Sequence, residues 1–254
     1  MTDLSGKKGL VLGIANQHSI AYGCAQAYRE AGAELAVTYL NAKAKPHVEP
    51  LAQSLEAPLF LPCDVLQDAE LEKVFDTIKK EWGRLDFVLH AMAYAPLEDL
   101  HGRLTDCSDE GFTMAMRVSV HSFIRVARLA EPLMDRGGCL QTVTFYGSDR
   151  VVDGYNLMGP VKAALESSTR YLAAELGGKG IRVHALSPGP LRTRAASGLR
   201  EFDELLSRAE DKAPLKHDMG IDDVGAVSAF LNSDAAAGLT GSVEYIDGGL
   251  NIME

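Results

Sequence analysis

Seven short, nearly continuous apolar runs punctuate the chain. They fall at 9–13 (GLVLG), 34–39 (ELAVTY), 58–62 (PLFLP), 85–90 (LDFVLH), 139–145 (CLQTVTF), 182–187 (RVHALS) and 243–246 (VEYI). Between them, apolar positions recur with helical spacing near 20–31, 43–55, 67–82, 109–134, 157–177 and 221–232. A strand that is apolar at nearly every position is buried on both faces, and strands alternating with helices form parallel sheets covered on both sides. The pattern predicts an α/β protein: a doubly wound, seven-stranded parallel sheet with helices on both faces, in a single domain over residues 1–254. The rhythm breaks at 188–216, a stretch with three prolines and two glycines that follows a strand end. Binding loops occupy that position in open α/β sheets.

Composition narrows the partners. The net charge of −10 opposes nucleic acid or an anionic membrane surface as the main partner, since both need a positive face. No apolar run approaches the ~20 residues that span a bilayer, and MTDLSGKKG lacks the apolar core of a signal peptide. Cys24, Cys63, Cys107 and Cys139 show no CxxC spacing and read as reduced, mostly buried thiols. The expected location is the cytoplasm. The histidines show no HExxH or other paired ligand spacing, so no metal is expected.

Candidate chemistry begins where the first run meets its helix, in GIANQHSIAYG. Gly13 ends the strand and the stretch from Ser19 to Gly23 opens the helix, whose free N–H groups and dipole suit a pyrophosphate. The spacing is not GxGxxG, and by itself the turn is equally consistent with a tight strand–helix connection. Three more strand ends add to it: Tyr39–Leu40–Asn41, Cys63–Asp64–Val65 and His90–Ala91–Met92–Ala93. An Asp at such a point accepts from an adenine amino group, and small residues let a flat ring approach the backbone. A second candidate is Tyr155 with Lys162 in YNLMGPVK. Seven residues of α-helix turn through about 700°, which would put both side chains on one face roughly 10 Å apart along the axis. A neighbouring ammonium would favour the ionised form of the phenol.

The segments GIANQHSIAYG, CDV, HAMAYAP, YNLMGPVKAALE, SPGPLRTRAASG and VEYIDGG occur in an order and spacing that resembles the bacterial enoyl-acyl-carrier-protein reductases. These form a divergent branch of the short-chain dehydrogenase/reductases, with a Rossmann-type fold, and the resemblance runs through essentially the whole chain. The branch is marked by Tyr-x6-Lys where most of the superfamily has Tyr-x3-Lys, and here the x3 position holds Met158. The resemblance implies hydride transfer from NADH to the β-carbon of a trans-2-enoyl thioester, in fatty-acid biosynthesis. Tyr155 would hydrogen-bond the thioester oxygen and Lys162 would bind the cofactor ribose. It further implies cofactor contacts from Gly13, Ser19, Ile20, Leu40, Asp64, Val65, Met92, Leu191, Arg192, Thr193, Arg194 and Ala195, and an acyl pocket lined by Ala95, Phe145 and Tyr155. The segment 188–216 would be a mobile wall over the site, and helices 109–134 and 157–177 would build a homotetramer. NADPH is disfavoured: a 2′-phosphate wants a fixed cation after the second strand, where Leu40 and Asn41 stand, with Lys43 and Lys45 on the next helix.

Two positions depart from the branch. Many relatives carry Tyr where this chain has Phe145, and Tyr146 would not replace it, because adjacent strand residues point to opposite faces. On the helix that relatives use to dock acidic acyl carrier protein, Asp203 and Glu204 stand where relatives place Arg and Lys. Arg200 remains, with Arg192 and Arg194 nearby, although Arg192 is expected to be committed to the loop or the cofactor. Like charge would slow and weaken docking, which opens the door to another thioester carrier. Ser148 holds the place of a superfamily catalytic Ser on which the branch does not rely, and Asp149–Arg150 reads as a surface pair. Two rivals to the reductase remain: a carbonyl reductase on the same fold, and a specialised or weakly catalytic paralogue acting on a long-chain or differently carried substrate.

Overall fold

The structure, a computed structural model, describes residues 2–193 and 202–253. Seven parallel strands lie in the order β3-β2-β1-β4-β5-β6-β7. They are β1 (Lys8–Leu12), β2 (Glu34–Tyr39), β3 (Leu59–Pro62), β4 (Phe87–His90), β5 (Gly138–Val143), β6 (Ile181–Pro188) and β7 (Val243–Ile246). The helices on the two faces are α1 (Ile20–Glu30), α2 (Lys45–Ser54), α3 (Asp68–Trp82), α4 (Leu97–His101), α5 (Asp109–Met116), α6 (Ser122–Ala130), α7 (Met158–Leu176), α8 (Phe202–Lys212) and α9 (Ile221–Asn232).

The continuous apolar strands are explained by two cores, one on each face. In β1, Leu10 and Leu12 enter a core with Val74, Phe123, Val161 and Leu165 of the α3, α6 and α7 side, while Val11 faces the other way. That second core joins Leu35, Val37 and Leu89 to Ala25, Tyr28, Val48 and Val224 of α1, α2 and α9. Period-two alternation thus survives, but both phases are buried. The strand order reverses between β1 and β4, which pair in parallel through Gly9↔Phe87 to Leu12↔His90. A crevice outside the carboxyl ends of the strands at such a switch point is where ligands bind in this architecture.

Three expectations need revision. The 109–134 helix is interrupted: a π-helical turn, Arg117–His121, separates α5 from α6, and a 3-10 turn, Glu131–Leu133, ends it. π-Bulges gather at functional sites, and this one meets the loop after β4, where Tyr94 N–H donates to Ser119 Oγ at 3.3 Å. The 188–216 stretch is a loop only in part, since α8 occupies Phe202–Lys212. The strand read as 139–145 stops at Val143, and Tyr146–Ser148 form a 3-10 turn.

Candidate active site

The first strand end is shaped by exclusion. Gly13 has φ of +109°, and a Cβ there would lie 2.1 Å from the carbonyl oxygen of Ala91, so only glycine lets the β1 and β4 exits come together. Ser19 stands at the N-cap of α1 yet bonds backwards: its Oγ accepts from the N–H groups of Ala15 and Asn16, both at 3.0 Å. It makes no capping bond into the helix, so the first-turn N–H groups carry no side-chain partner and remain an anion-binding element. Ile20 opens the helix, half-buried against the α1-side core. Gly23, read with the turn from sequence, serves another purpose. A Cβ on it would lie 2.6 Å from Ile221 O, and a Cβ on Gly225 would lie as close to the Gly23 carbonyl oxygen. It lets α1 cross α9.

At the β2 exit Leu40 is 53 % exposed. Asn41 Oδ1 accepts from the N–H groups of Lys43 and Ala44 at 3.0 Å each, turning the chain into α2. Lys45 is the first residue of that helix, paired with Glu49 at 3.7 Å and lying over the Tyr39 ring, while Lys43 precedes it in the turn. After β3, Asp64 Oδ1 accepts from Leu66 N–H at 2.9 Å, and its Oδ2 has no hydrogen-bond partner among the described residues. Val65 is buried, and Arg125 Nη1 donates to its carbonyl at 3.0 Å. Met92 packs half-buried on the α7-side core, and Ala95 is buried within it.

Tyr155 and Lys162 are placed differently from the helical-face argument. Tyr155 precedes α7, in a turn where Asn156 takes a left-handed φ of 39° and donates Nδ2 to Leu100 O at 3.0 Å. Lys162 sits on the second turn of α7, buried, with Nζ donating to Val143 O at 2.7 Å. Burial pulls its ammonium down to about 8, opposed by Glu166. The phenol moves opposite to the sequence expectation. Burial and then Glu166 push Tyr155 well above its ordinary value, so it is a protonated hydrogen-bond donor at working pH. Met158 is buried at the start of α7 and supplies no hydroxyl.

Phe145 is the ring that touches both tyrosines, with centroids 4.5 Å from Tyr146 and 4.9 Å from Tyr155. The opposite-faces argument for Tyr146 therefore fails, because β5 has already ended and the two rings fold side by side. A cavity of about 390 Å³ opens beside Tyr146, lined also by Arg150, Asp153, Leu205, Arg208 and Lys212. Leu191 is buried in the α1-side core, and Thr193 N–H donates to Leu191 O at 2.8 Å. Arg192 is exposed and pairs with Asp203 at 2.7 Å instead of turning to the site. Arg194, Ala195 and Arg200 lie outside the described residues.

Sequence reasoning missed Glu166. It is buried, and its Oε1 accepts from Thr144 Oγ1 at 2.6 Å and Ser148 Oγ at 2.5 Å. The signal was present, since Glu166 follows Lys162 by one helical turn on the same face. His90, at the β4 end, bonds to Thr142 and Ser122, and burial, helped by Lys162, pulls it down to about 3. His184 is less completely satisfied: Nδ1 meets Ser242 Oγ at 2.9 Å, and the buried Nε2 has no partner among the described residues. Cys24, Cys63 and Cys139 are buried free thiols, and Asp149 and Arg150 pair at 3.4 Å on the surface.

A sheet of this order with a glycine-floored turn at its switch point and a buried Tyr–Lys pair past β5 has the form of the short-chain dehydrogenase/reductases. The model of the family described as enoyl-(acyl carrier protein) reductase matches residues 13–251. Enoyl-(acyl-carrier-protein) reductase (NADH) 1 of Rhizobium meliloti is 46 % identical over 98 % of this chain and 92 % of its own. The corresponding NADH enzyme of Synechocystis is 44 % identical over 100 % of this chain and 99 % of its own. Among solved structures, the Bacillus cereus enoyl-acyl carrier protein reductase, with NADP+ and an indole naphthyridinone, superposes with a TM-score of 0.97 at 44 % identity and full coverage of both chains. The Anaplasma phagocytophilum reductase with NAD gives 0.94 at 43 % identity, covering 98 % of this chain and 95 % of that one. The chain belongs to the enoyl-(acyl carrier protein) reductase family.

Proposed function

We propose that the protein reduces trans-2-enoyl thioesters carried on acyl carrier protein to saturated acyl thioesters, as a step of fatty-acid biosynthesis with NADH as reductant. The observation that carries this reading is a buried tyrosine and a buried lysine at Tyr-x6-Lys spacing, with methionine where a carbonyl reductase of the superfamily would hold its Tyr. Relatives at this identity are named NADH enzymes, and the exposed Leu40 at the β2 exit offers no fixed cation to a 2′-phosphate.

NADH, when bound, supplies the hydride. The exit of β1 from Gly13 to the uncapped N–H groups behind Ser19 and Ile20 would hold its pyrophosphate, and Asp64 Oδ2, with Val65 and Leu40 beside it, the adenosine end. Met92, Lys162 and the 191–195 segment would flank the nicotinamide and its ribose. Reduction at the β-carbon gathers negative charge on the thioester oxygen, and Tyr155 stabilises it by donating its phenolic O–H. Lys162 is fixed by the Val143 carbonyl and acts by position and charge. Phe145 and Ala95 would make the adjoining wall apolar, suited to an acyl chain. The α-carbon finally takes a proton from solvent.

A homotetramer fits the apolar side chains that α5, α6 and α7 leave exposed, Phe112, Ile124 and the 77 % exposed Tyr171. No helix among the described residues is long and apolar enough to cross a membrane, and a cytoplasmic location accords with the reaction. The decisive assay follows dihydronicotinamide absorbance with a trans-2-enoyl thioester on acyl carrier protein and on coenzyme A. Turnover of either supports the reductase. Turnover of ketones alone would replace it with the carbonyl reductase, and saturable NADH binding without any turnover would make the chain a non-catalytic binder.

A further inference from the structure

We propose that Glu166 is a positioning residue of this active site, clamping the segment 143–148 that backs the Tyr155 ring and holding a fixed negative charge beside Tyr155 and Lys162. The proposal rests on the reading of that pair as the reacting groups. Three side-chain bonds tie the exit of β5 to one face of α7: Lys162 Nζ to Val143 O at 2.7 Å, Thr144 Oγ1 to Glu166 at 2.6 Å, and Ser148 Oγ to the same carboxylate oxygen at 2.5 Å. The bound segment is the wall on which the phenol rests. Phe145 meets the Tyr155 ring at 4.9 Å, and a Cβ on Gly147 would stand 2.6 Å from Tyr155 Cδ1, so the backbone lies directly against the ring. Release of Ser148 would let that wall shift by the fraction of an ångström that matters for a hydrogen bond to a developing charge.

A carboxylate this buried normally has a cation in contact, because burying an unpaired charge is costly. Glu166 makes no ion pair among the described residues and accepts only from two hydroxyls. Its charge therefore acts through space. The titratable groups that face it are Lys162 on its own helix, Tyr155 from the turn before that helix, and Tyr245 of β7. Lys162 in turn faces His90 of β4, which is neutral. Glu166 opposes the burial of Lys162 and adds to that of Tyr155. Burial already holds the proton on the phenol and Glu166 adds to that, while on Lys162 the same carboxylate works against burial to keep the ammonium charged. Ser148, which stands where the wider superfamily keeps a catalytic Ser, is here an anchor of the clamp.

The test compares wild type, Glu166→Gln and Ser148→Ala, reading NADH affinity against pH, kcat and KM for an enoyl thioester, and melting temperature. Glutamine keeps an acceptor oxygen for both hydroxyls and removes the charge, with an NH2 in place of the second oxygen. The variant is expected to fold, to lose NADH affinity at a pH lower by about half a unit or more, and to lose kcat about tenfold with KM little changed. Ser148→Ala keeps the charge, so its pH midpoint stays at the wild-type value while kcat falls about threefold. A Glu166→Gln protein with the wild-type midpoint and kcat overturns the proposal. If Glu166→Gln does not fold, a Ser148→Ala protein with full kcat overturns it instead. Failure of the reductase reading would appear separately, as a wild type that binds NADH and turns over no enoyl thioester, and the midpoint shift would still be measurable.

Discussion

From β1 to β4 the C-terminal edge of the sheet is made of backbone and small side chains, whereas beyond β5 it is made of rings and buried charge. In the first region Gly13 admits Ala91, Ser19 bonds back to its own loop, and Asp64 closes a two-residue turn. The partners of these three residues are local or at the exit of the neighbouring strand. In the second, Lys162 reaches back to Val143, Glu166 to Thr144 and Ser148, and Tyr155 is packed by residues from the exit of β5. On the proposed reading the first region is a shape that receives the dinucleotide. The second is an electrostatic arrangement, and the proposed chemistry falls there. Substitutions should therefore separate the two, with loss of binding on one side and loss of rate on the other.

The largest separation is expected from Tyr155→Phe. It deletes the phenolic O–H and little else in a buried side chain. Turnover should fall by roughly 10²–10³, the scale of one lost donor to a developing oxyanion, while NADH affinity stays within about twofold. Unchanged turnover would remove Tyr155 from the mechanism. Gly13→Ala should do the reverse. The new Cβ meets Ala91 O at 2.1 Å from a backbone at φ +109°, and strain with overpacking of this kind costs about 2–4 kcal/mol. A lower melting temperature with weakened NADH binding is expected. A Gly13→Ala protein that binds NADH normally would deny that this exit shapes the cofactor site.

The difference between the regions also explains what the chain discloses before folding. Seven strands, their helices and the exits at Gly13, Leu40, Asp64 and Met92 are legible because burial on both faces writes itself as continuous apolar runs, and strand ends follow from where those runs stop. The interruption of 109–134 is not legible, since a π-turn needs no particular residue and is stabilised by what it packs against. Tyr155 and Lys162 are marked by their spacing, but the helical geometry inferred from it is wrong because α7 starts at Met158. Tyr146 misled for the same reason, a strand that ends two residues before Phe145. Glu166 carries no motif at all. Its meaning lies in Thr144 and Ser148, about twenty residues away, which only tertiary structure brings to it.

Lysine 162 provides a pH test that touches both regions. Its ordinary value of 10.5 is lowered to about 8 in the fold. Below about 8 both the folded and the unfolded chain carry the ammonium, and the fold bears the whole cost of burying it. Between 8 and 10.5 the unfolded chain holds more protons, so this group's contribution to stability improves as pH rises. NADH affinity should move the other way, falling as pH rises through about 8, because the anionic cofactor favours the charged lysine. Parallel titrations of melting temperature and NADH affinity check the opposite signs. Lys162→Met should abolish the dependence in both, and a persisting alkaline loss of affinity would assign it to another group.

The smallest effect is expected on the carrier side, at the start of α8. Asp203 and Glu204 look repulsive to an acidic carrier in a chain of net charge −10. The fold softens that repulsion. Arg192 pairs with Asp203 at 2.7 Å and Arg208 with Glu204 at 3.3 Å, so each acid arrives with a cation beside it. Arg208 and Lys212 also line the cavity next to Tyr146, one to two turns further along the helix. Exposed pairs of this kind contribute little to stability, but they cancel much of the long-range field that steers encounter. Replacing both acids by lysine should lower KM for the substrate on acyl carrier protein by about three- to tenfold at low salt. The gain should fade as salt is added, within the range over which the Debye length shortens past ~10 Å. The same variant should leave KM for the coenzyme A thioester unchanged. Equal improvement of both substrates would mean that the lysines act on the acyl pocket, and no change in either would mean that the carrier approaches the site without crossing this end of α8.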